Sequence, residues 1–313
     1  MRDFTQQHWD DFLIADCCKL IRLAVSEDLG REYDWTTVSL VPREATAAAN
    51  IISRETGIIA GLEVARSVVE EMHLKATWEP RLRDGDRVIP GQTVAHISGN
   101  ARDLLTGERT LLNFIGRLSG IATLTSRYVD AVAGTAARVY DTRKTAPGWR
   151  RLEKYAVHCG GGHNHRASLN EAILIKDNHL ALGAQLRDTG HYTPAEAVRK
   201  AQEFVAELRA SEQISRELII EIELDSLDDF ETVLAAGPDI VLLDNMPPEK
   251  LREAVARRNA FDNLKNNHRT ELEASGGVRL DTIRAIAETG VERISCGALT
   301  HSAVNFDVGL DWE

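Results

Sequence analysis

Cationic side chains follow two of the short apolar runs in this sequence. "VYDTRKT" ends in Arg143 and Lys144, and "ILIKDNH" carries Lys176. The stretch from Asp141 to His179 holds seven Lys or Arg, four Asp or Glu and four of the ten histidines, although the whole chain has a net charge of -11. A local excess of positive charge among glycines and strand ends indicates a pocket for a small anion, with a solvated basic surface as the alternative.

Carboxylates end two other apolar runs. Glu221 and Glu223 stand two residues apart in "EIELD", so both face the same side of one very apolar strand. At least one of them is therefore expected to be paired or to belong to a site. Asp244 ends "VLLDN". Beside a bound phosphate, such carboxylates are expected to serve a Mg²⁺ ion or sugar hydroxyls.

Glycine-rich loops follow the last two predicted strands. "LEASGG" ends in Ser275, Gly276 and Gly277, and "RISCGA" leads into Gly297. One such loop is more often a plain turn. Two successive loops, each before a helix, indicate backbone N–H groups that bind phosphate, which is a frequent arrangement in the late loops of α/β barrels.

The pattern of elements predicts two parts. The first part, to about Arg117, mixes helices with short strands, and it begins with a helix over residues 10–29 that Gly30 ends. A long helix over residues 106–132 is expected to be interrupted near Gly120. Strands and helices then alternate every 20 to 30 residues, which predicts parallel strands joined by helices in a barrel-like α/β fold. Within it, "TPAE" from Thr193 predicts a helix start.

Composition excludes several classes of protein. An acidic chain is not typical of general nucleic-acid binding, and no apolar stretch approaches the roughly 20 residues that span a bilayer. The beginning, "MRDFTQQHWDDF", does not have the pattern of a secretory signal. The four cysteines match no zinc or disulfide pattern, which predicts reduced thiols and a cytoplasmic protein.

Eight motifs in order resemble quinolinate phosphoribosyltransferase, from about Glu27 to Leu310. They are "ERTLLNFIGRLSGIATLT", "DTRKTAPGWRRLEKYAV", "CGGGHNHR", "LIKDNH", "EIELDSLDD", "LLDNM", "LEASGG" and "ISCGALTHSAV".

The resemblance implies a reaction and an architecture. Quinolinate and phosphoribosyl pyrophosphate would give nicotinate mononucleotide, carbon dioxide and pyrophosphate, with Mg²⁺, in de novo NAD biosynthesis. The implied fold is an N-terminal α/β sandwich domain (residues 1–117) and an incomplete α/β barrel (residues 118–300), with residues 301–313 packing back on the first domain. The implied partner is a second copy, in a homodimer that shares its active sites; whether dimers assemble further is left open.

The resemblance also implies roles for particular residues. Arg109 would come from the neighbouring subunit. The quinolinate carboxylates would be held by Arg143, Lys144, His165, Arg166 and Lys176. Glu223 and Asp244 would serve Mg²⁺, directly or through water, and the ribose hydroxyls; with Lys144 they are the expected catalytic residues. The 5′-phosphate loops would use Ser275, Gly276, Gly277 and Gly297, and Thr142 and Ser295 complete the expected substrate contacts.

Some features depart from the family pattern or leave a choice open. His158 stands where an arginine or lysine is expected, and residues 193–216 and 257–271 are longer than expected and should be peripheral. The glycines of "CGGGHNHR" are expected to let the backbone turn tightly against the pocket.

Two alternative functions remain. One is a phosphoribosyltransferase for nicotinate, without decarboxylation, and the other is an inactive scaffold homologue. A cage of several cations favours a substrate with two carboxylates.

Overall fold

The computed structural model describes residues 3–183, 191–265 and 269–313 and divides the chain into two compact units. The antiparallel unit consists of Gln6–Arg127, Lys144–His163 and Ala298–Glu313. The barrel unit consists of Met1–Thr5, Tyr128–Arg143 and Asn164–Gly297.

The antiparallel unit is built on a four-stranded sheet with the order β12-β1-β5-β3, beside a two-stranded pair, β2-β4. Its strands are β1 (Thr46–Ser53), β2 (Gly57–Ile58), β3 (Ala76–Pro80), β4 (Arg87–Val88), β5 (Thr93–Asn100) and β12 (Val308–Trp312). Its helices are α1 (Asp11–Leu29), α2 (Trp35–Leu40), α3 (Leu62–Glu71), α5 (Arg150–Cys159), α11 (Ala298–His301) and most of α4 (Ala101–Val132). The prediction for α1 is confirmed: the Asp10 side chain caps its first turn, and Gly30 ends it at a φ of 57°.

The expected interruption of α4 at Gly120 is wrong. The helix is continuous from Ala101 to Val132. A Cβ atom on Gly120 would lie 2.0 Å from the backbone oxygen of Val304, and the N–H of Phe306 donates a hydrogen bond to the oxygen of Gly116. These glycines therefore let the backbone near Val304 approach the helix closely, and they do not end it.

The barrel unit contains six parallel strands in the order β6-β11-β10-β9-β8-β7. Its strands are β6 (Arg138–Tyr140), β7 (Ala172–Ile175), β8 (Ile219–Leu224), β9 (Ile240–Asp244), β10 (Glu271–Ser275) and β11 (Arg293–Ser295). Its helices are α6 (Asp177–Leu182), α7 (Pro194–Ala210), α8 (Phe230–Ala236), α9 (Pro248–Lys265) and α10 (Ile283–Ala287). Consecutive strands from β7 to β11 are neighbours and β6 closes onto β11, so the ring is open only between β6 and β7. This confirms the incomplete barrel.

Phe4 packs inside the open barrel. It forms one apolar cluster with Tyr140, Ala172, Ile219 and Ile240, which lie on β6, β7, β8 and β9. Because β6 and β7 are the two edges of the sheet, a side chain that reaches both of them lies within its curve.

Two predicted features of the connecting helices have different outcomes. The capping box of α7 is confirmed, since Thr193 and Glu196 each accept a hydrogen bond from the other's backbone. The stretch 257–271 was expected to be a peripheral excursion, but it continues α9 as far as Lys265. Arg258 is fully buried there and donates to Glu292 (2.8 Å); residues 266–268 lie outside the described residues.

No helix within the described ranges is both long and apolar enough to cross a membrane.

The role of Gly120 can be tested by Gly120→Ala. Alanine improves helix propensity by about 1 kcal/mol, but here its Cβ atom would displace backbone, so we expect a net loss of about 1–3 kcal/mol in unfolding free energy. The control is Gly107→Ala in the same helix, where the Cβ atom would meet only the flexible end of Leu74. Denaturant unfolding measures both variants, and equal stability would contradict the close-approach explanation.

Candidate active site

The strand register places charged and polar side chains on the inner face of the barrel sheet, the face on which Phe4 packs. Glu223 and Glu273 are both paired with Leu242, and Asp244 is paired with Ser275, so these side chains point the same way. The inner face carries Glu221 and Glu223 on β8, Asp244 on β9, Glu271, Glu273 and Ser275 on β10, and Arg293 and Ser295 on β11. An interior of this kind requires internal pairing of its charges.

Arg293 provides much of that pairing at the amino ends of the strands. It is fully buried, and its guanidinium donates to Glu271 (2.6 Å) and to Asp3 (2.5 Å). It also lies 4.2 Å from the centre of the Tyr140 ring, whose hydroxyl donates to Asp3. The segment around Phe4 is thus tied to the barrel by charge as well as by apolar contact.

Glu221 and Glu273 form a second, deeper layer beside His165. Both carboxylates are fully buried. The Nε2 atom of His165 lies 3.1 Å from Glu221 and 3.6 Å from Glu273. Burial, and then the charge of Glu221, raise the pKa of Glu273. The ligand atoms of these three side chains lie within 4.8 Å of one another, a spacing that a cation could bridge.

The segment that carries His165 and Arg166 is fixed by Asp141, just beyond β6. The buried carboxylate of Asp141 accepts hydrogen bonds from the His165 backbone N–H (2.8 Å) and from the Asn164 side chain (2.7 Å). Arg166 in turn donates to the carbonyl of Ala172 (3.0 Å). The two ends of the open ring, near β6 and β7, therefore both hold this segment.

Two guanidinium groups lie close together at this point. Burial, and then the neighbouring charge of Arg143, lower the pKa of Arg166. The Nε atom of Arg143 is buried and has no hydrogen-bond partner among the described residues. Two adjacent cations with an unused buried donor form a strong site for an anion, particularly a carboxylate, whose two oxygens match a guanidinium.

Carboxylates lie at the ends of the neighbouring strands. Glu223 accepts a close hydrogen bond from Lys176, which follows β7. Asp244 accepts one from the side chain of Asn245 (2.8 Å), a residue with a φ of 54°. Glu223 and Asp244 are both partly exposed and offer oxygen ligands on adjacent strands, the donor type that Mg²⁺ prefers.

The glycine loop after β10 is shaped by its contact with Asn245. Gly276 has a φ of 91° and Gly277 a φ of 61°. A Cβ atom on Gly276 would lie 2.2 Å from Asn245 Oδ1, and the Asn245 backbone N–H donates to the oxygen of Ser275 (2.8 Å). Residue 276 therefore has to be glycine for two reasons: its φ is positive, and a side chain would have no room beside Asn245.

The structure brings most of the predicted residues of the barrel unit to the carboxyl edge of its sheet or to the segments that follow it. These are Thr142, Arg143, Lys176, Glu223, Asp244, Ser275, Gly276, Gly277, Ser295 and Gly297. His165 and Arg166 lie instead in the segment between α5 and β7, which precedes β7. Arg109 and Lys144 belong to the antiparallel unit, where both are exposed, Arg109 on α4.

The glycines of "CGGGHNHR" allow both a tight turn and close packing. Gly161 adopts a φ of 83°, as a tight turn requires. Cβ atoms on Gly160 and Gly162 would lie 2.4 Å from the oxygen of Ala122 and 2.7 Å from Thr125, both on α4. Within the antiparallel unit these glycines therefore let the backbone pack closely against α4, and the expected contact with the pocket stays a prediction.

Sequence reasoning missed several residues that hold the site in place. Asp141 and Glu273 stand inside the quoted motifs "DTRKT" and "LEASGG", one and two residues before residues that were chosen, and an acidic residue in an apolar strand was the available signal. Asn245 follows Asp244 directly. Nothing near Phe4 in the sequence indicates that its ring lies against the His165 ring, with the ring centres 4.3 Å apart.

The pairing by Arg293 can be tested by Arg293→Leu, which would leave Glu271 and Asp3 with the partly exposed Arg138 as their remaining cation. We expect the unfolding free energy to fall by about 3 kcal/mol, the lower end of the range that is typical when one member of a buried pair is removed. Arg279→Leu is the control, because its ion pair with Asp281 is exposed and its loss should change stability little. A similar small effect for both substitutions in denaturant unfolding would contradict the assignment.

Comparisons with known proteins agree with this geometry. Residues 34–119 match the N-terminal domain and residues 121–311 the C-terminal domain of the family described as quinolinate phosphoribosyl transferase. A relative from Mycobacterium leprae, named nicotinate-nucleotide pyrophosphorylase (carboxylating), is 41% identical over 293 residues, which are 93% of this chain and 95% of the relative. A probable enzyme of the same name from Bacillus subtilis is 36% identical over 293 residues, 94% of this chain and 92% of its own.

Solved structures give the same result. The nicotinate-nucleotide pyrophosphorylase from Francisella tularensis matches with a TM-score of 0.85 and 32% identity, over 99% of this chain and 100% of the other. A human nicotinic acid phosphoribosyltransferase matches with a TM-score of 0.54 at 14% identity, which shows a shared fold alone. From its two matching domains and its full-length relatives, this chain belongs to the quinolinate phosphoribosyltransferase family.

Proposed function

We propose that the carboxyl edge of the barrel sheet binds quinolinate and phosphoribosyl pyrophosphate and carries out the reaction of the family. The chain is a decarboxylating phosphoribosyltransferase of NAD biosynthesis. It joins the quinolinate nitrogen to the ribose carbon that releases pyrophosphate, and the carboxylate at ring carbon 2 leaves as carbon dioxide. The product is nicotinate mononucleotide.

The adjacent guanidinium groups of Arg143 and Arg166 carry the proposal for quinolinate. Two like charges held close together in a partly buried place are unfavourable unless an anion lies between them. Quinolinate is a planar dianion, and its two neighbouring carboxylates can neutralise both groups. The unpartnered Nε of Arg143 supplies a donor that has no other use among the described residues.

Lys176 would take part by changing partners. It now pairs with Glu223, so the charge of each is balanced before substrate arrives. When a dianion enters, Lys176 can turn to it and release Glu223 for the ribose hydroxyls or for a metal. Binding of the two substrates would then be coupled through one exchange of ion pairs.

The glycine loop and the two strand-end carboxylates suit the second substrate. Backbone N–H groups around Gly276 and Gly277, with Ser275 and Gly297, would hold the 5′-phosphate. Glu223 and Asp244 would hold Mg²⁺ and the ribose hydroxyls, and the ion would supply charge neutralisation for the pyrophosphate.

Catalysis in this proposal is positional and electrostatic. As pyrophosphate leaves, the ribose ring becomes cation-like, and the carboxylates at the ends of β8 and β9 stabilise that charge. Loss of carbon dioxide leaves an electron pair at ring carbon 2, which the pyridinium nitrogen and the neighbouring guanidinium groups would stabilise until that carbon takes up a proton from solvent to give the C–H bond of the product. The described residues that line the strand ends are therefore used for binding and charge, without a covalent nucleophile.

The remaining expectations concern assembly and location. We propose a homodimer in which the partner subunit contributes Arg109 and in which Lys144 acts as a catalytic cation. The exposure of both side chains supports this proposal.

The four cysteines are all free, which supports a reducing, cytoplasmic location.

The activity is tested by incubating purified protein with phosphoribosyl pyrophosphate, Mg²⁺ and either quinolinate or nicotinate. We expect nicotinate mononucleotide from quinolinate alone, detected by liquid chromatography. Product from nicotinate alone would replace this reaction by a transfer without decarboxylation. No product from either substrate would favour an inactive homologue, provided that the protein is folded.

The anion pocket is tested by Arg143→Ala. Loss of a charge-assisted hydrogen bond should raise KM for quinolinate by about 10- to 100-fold, while KM for phosphoribosyl pyrophosphate changes much less. Arg252→Ala, an exposed arginine on α9, is the matched control and should leave both constants unchanged. Near-normal kinetics in a folded Arg143→Ala variant would refute the pocket.

A further inference from the structure

The imidazole of His165 is surrounded by protein groups on its edges and on one face. Its Nδ1 atom accepts a hydrogen bond from the backbone N–H of Arg166 (2.8 Å), and its Nε2 atom faces Glu221 and Glu273. The ring of Phe4 lies against one face of it, tilted by 31°, with the ring centres 4.3 Å apart. Only 6% of the residue is exposed.

This environment determines the form of the ring. An imidazole nitrogen that accepts a hydrogen bond carries no proton, so Nδ1 is bare and the single ring proton is on Nε2. A charged imidazolium would have a proton on both nitrogens and could not accept the N–H of Arg166. The side chain is therefore neutral in this structure.

The direction in which Nε2 points shows which layer of the barrel the ring faces. Glu221 lies two residues before Glu223 on β8, and Glu273 lies two residues before Ser275 on β10. The two carboxylates therefore form the layer below the substrate edge. Nε2 faces these two carboxylates and therefore points into the barrel interior, below the strand-end residues Glu223 and Ser275.

We propose that His165 is a positioning residue that holds the backbone of Arg166 from within the barrel, and that it does not contact quinolinate. This inference rests on the proposed function, and it replaces the role that the sequence predicted for His165. The Nδ1 atom fixes the Arg166 backbone, Ala172 fixes its guanidinium, and Phe4 and the two buried carboxylates fix the ring itself.

The same contacts favour this role over a metal site. The charges of Glu221 and Glu273 already have cationic neighbours, since Arg293 acts on Glu273 and Glu221 acts on Arg166. A further divalent cation would lie near two guanidinium groups and would be repelled by them. Bound metal is accordingly the competing outcome of the test below.

Two conservative variants separate the two ring nitrogens, and each is the matched control for the other. In His165→Asn, the amide oxygen replaces Nδ1 as acceptor for the Arg166 N–H, but nothing replaces Nε2. In His165→Gln, the amide nitrogen replaces Nε2, but the acceptor for the Arg166 N–H is lost. His165→Ala removes both. Steady-state KM for quinolinate and for phosphoribosyl pyrophosphate is measured for each, with thermal unfolding as the check on folding.

We expect the asparagine variant to stay within about threefold of the wild-type KM for quinolinate, and the glutamine and alanine variants to exceed it about tenfold or more, because a buried N–H is left without an acceptor. KM for phosphoribosyl pyrophosphate should change little in all three. In a double-mutant cycle, His165→Ala should add little to the effect of Arg166→Ala, since it acts through that residue.

Several results would overturn the proposal. A glutamine variant better than the asparagine variant would show that Nε2 is the working atom, and full additivity with Arg166→Ala would show direct substrate contact. Equal loss in all variants, or no loss in any, would also refute it. A stoichiometric divalent metal, found by elemental analysis and lost in Glu273→Gln, would make His165 a ligand. Wild-type protein that does not use quinolinate would instead refute the proposed function, so the two failures are distinguishable.

Discussion

Burial of charge on the inner face of an open sheet is the constraint on which the barrel unit depends. Arg293, Glu271, Glu273 and Glu221 are all inside, where an unpaired charge would be strongly destabilising. Arg293 neutralises one end of this interior through Glu271 and Asp3. Strands of the same sheet carry Glu223 and Asp244 at their carboxyl ends, so the paired interior lies directly below the candidate site.

The sheet is open between its two edge strands, β6 and β7. In a closed barrel, these two strands would be joined by hydrogen bonds, directly or through further strands. Here Phe4 packs within the curve of the sheet, and the segment with His165 and Arg166 is held from both edges. Asp141 fixes it near β6, and Ala172 fixes it on β7. The guanidinium group of Arg166 is thus held by the fold itself, and under the proposed function this would lower the entropy lost on binding a planar anion.

Much of the fold and of the candidate site could be predicted, because their signals are local. Strand and helix periods, the capping box at Thr193 and the glycine after α1 are features of neighbouring residues. Arg143, Lys176 and Asp244 could be chosen because polar residues that end apolar strands must lie at one edge of a parallel sheet. Glu273 and Asp141 were not chosen, although each stands within two residues of a chosen one, since their roles depend on partners far away in the sequence.

The sequence by itself determined the family, the order of the elements and the types of side chain at the strand ends, because motifs and hydrophobic periods need no long-range information. Only the tertiary structure decided which way each side chain points. It showed that Gly120 and Gly160 provide room beside other backbone segments, and that His165 turns its ring into the barrel interior. Both depend on contacts between residues more than 30 positions apart, and such contacts leave no periodic trace in a single chain.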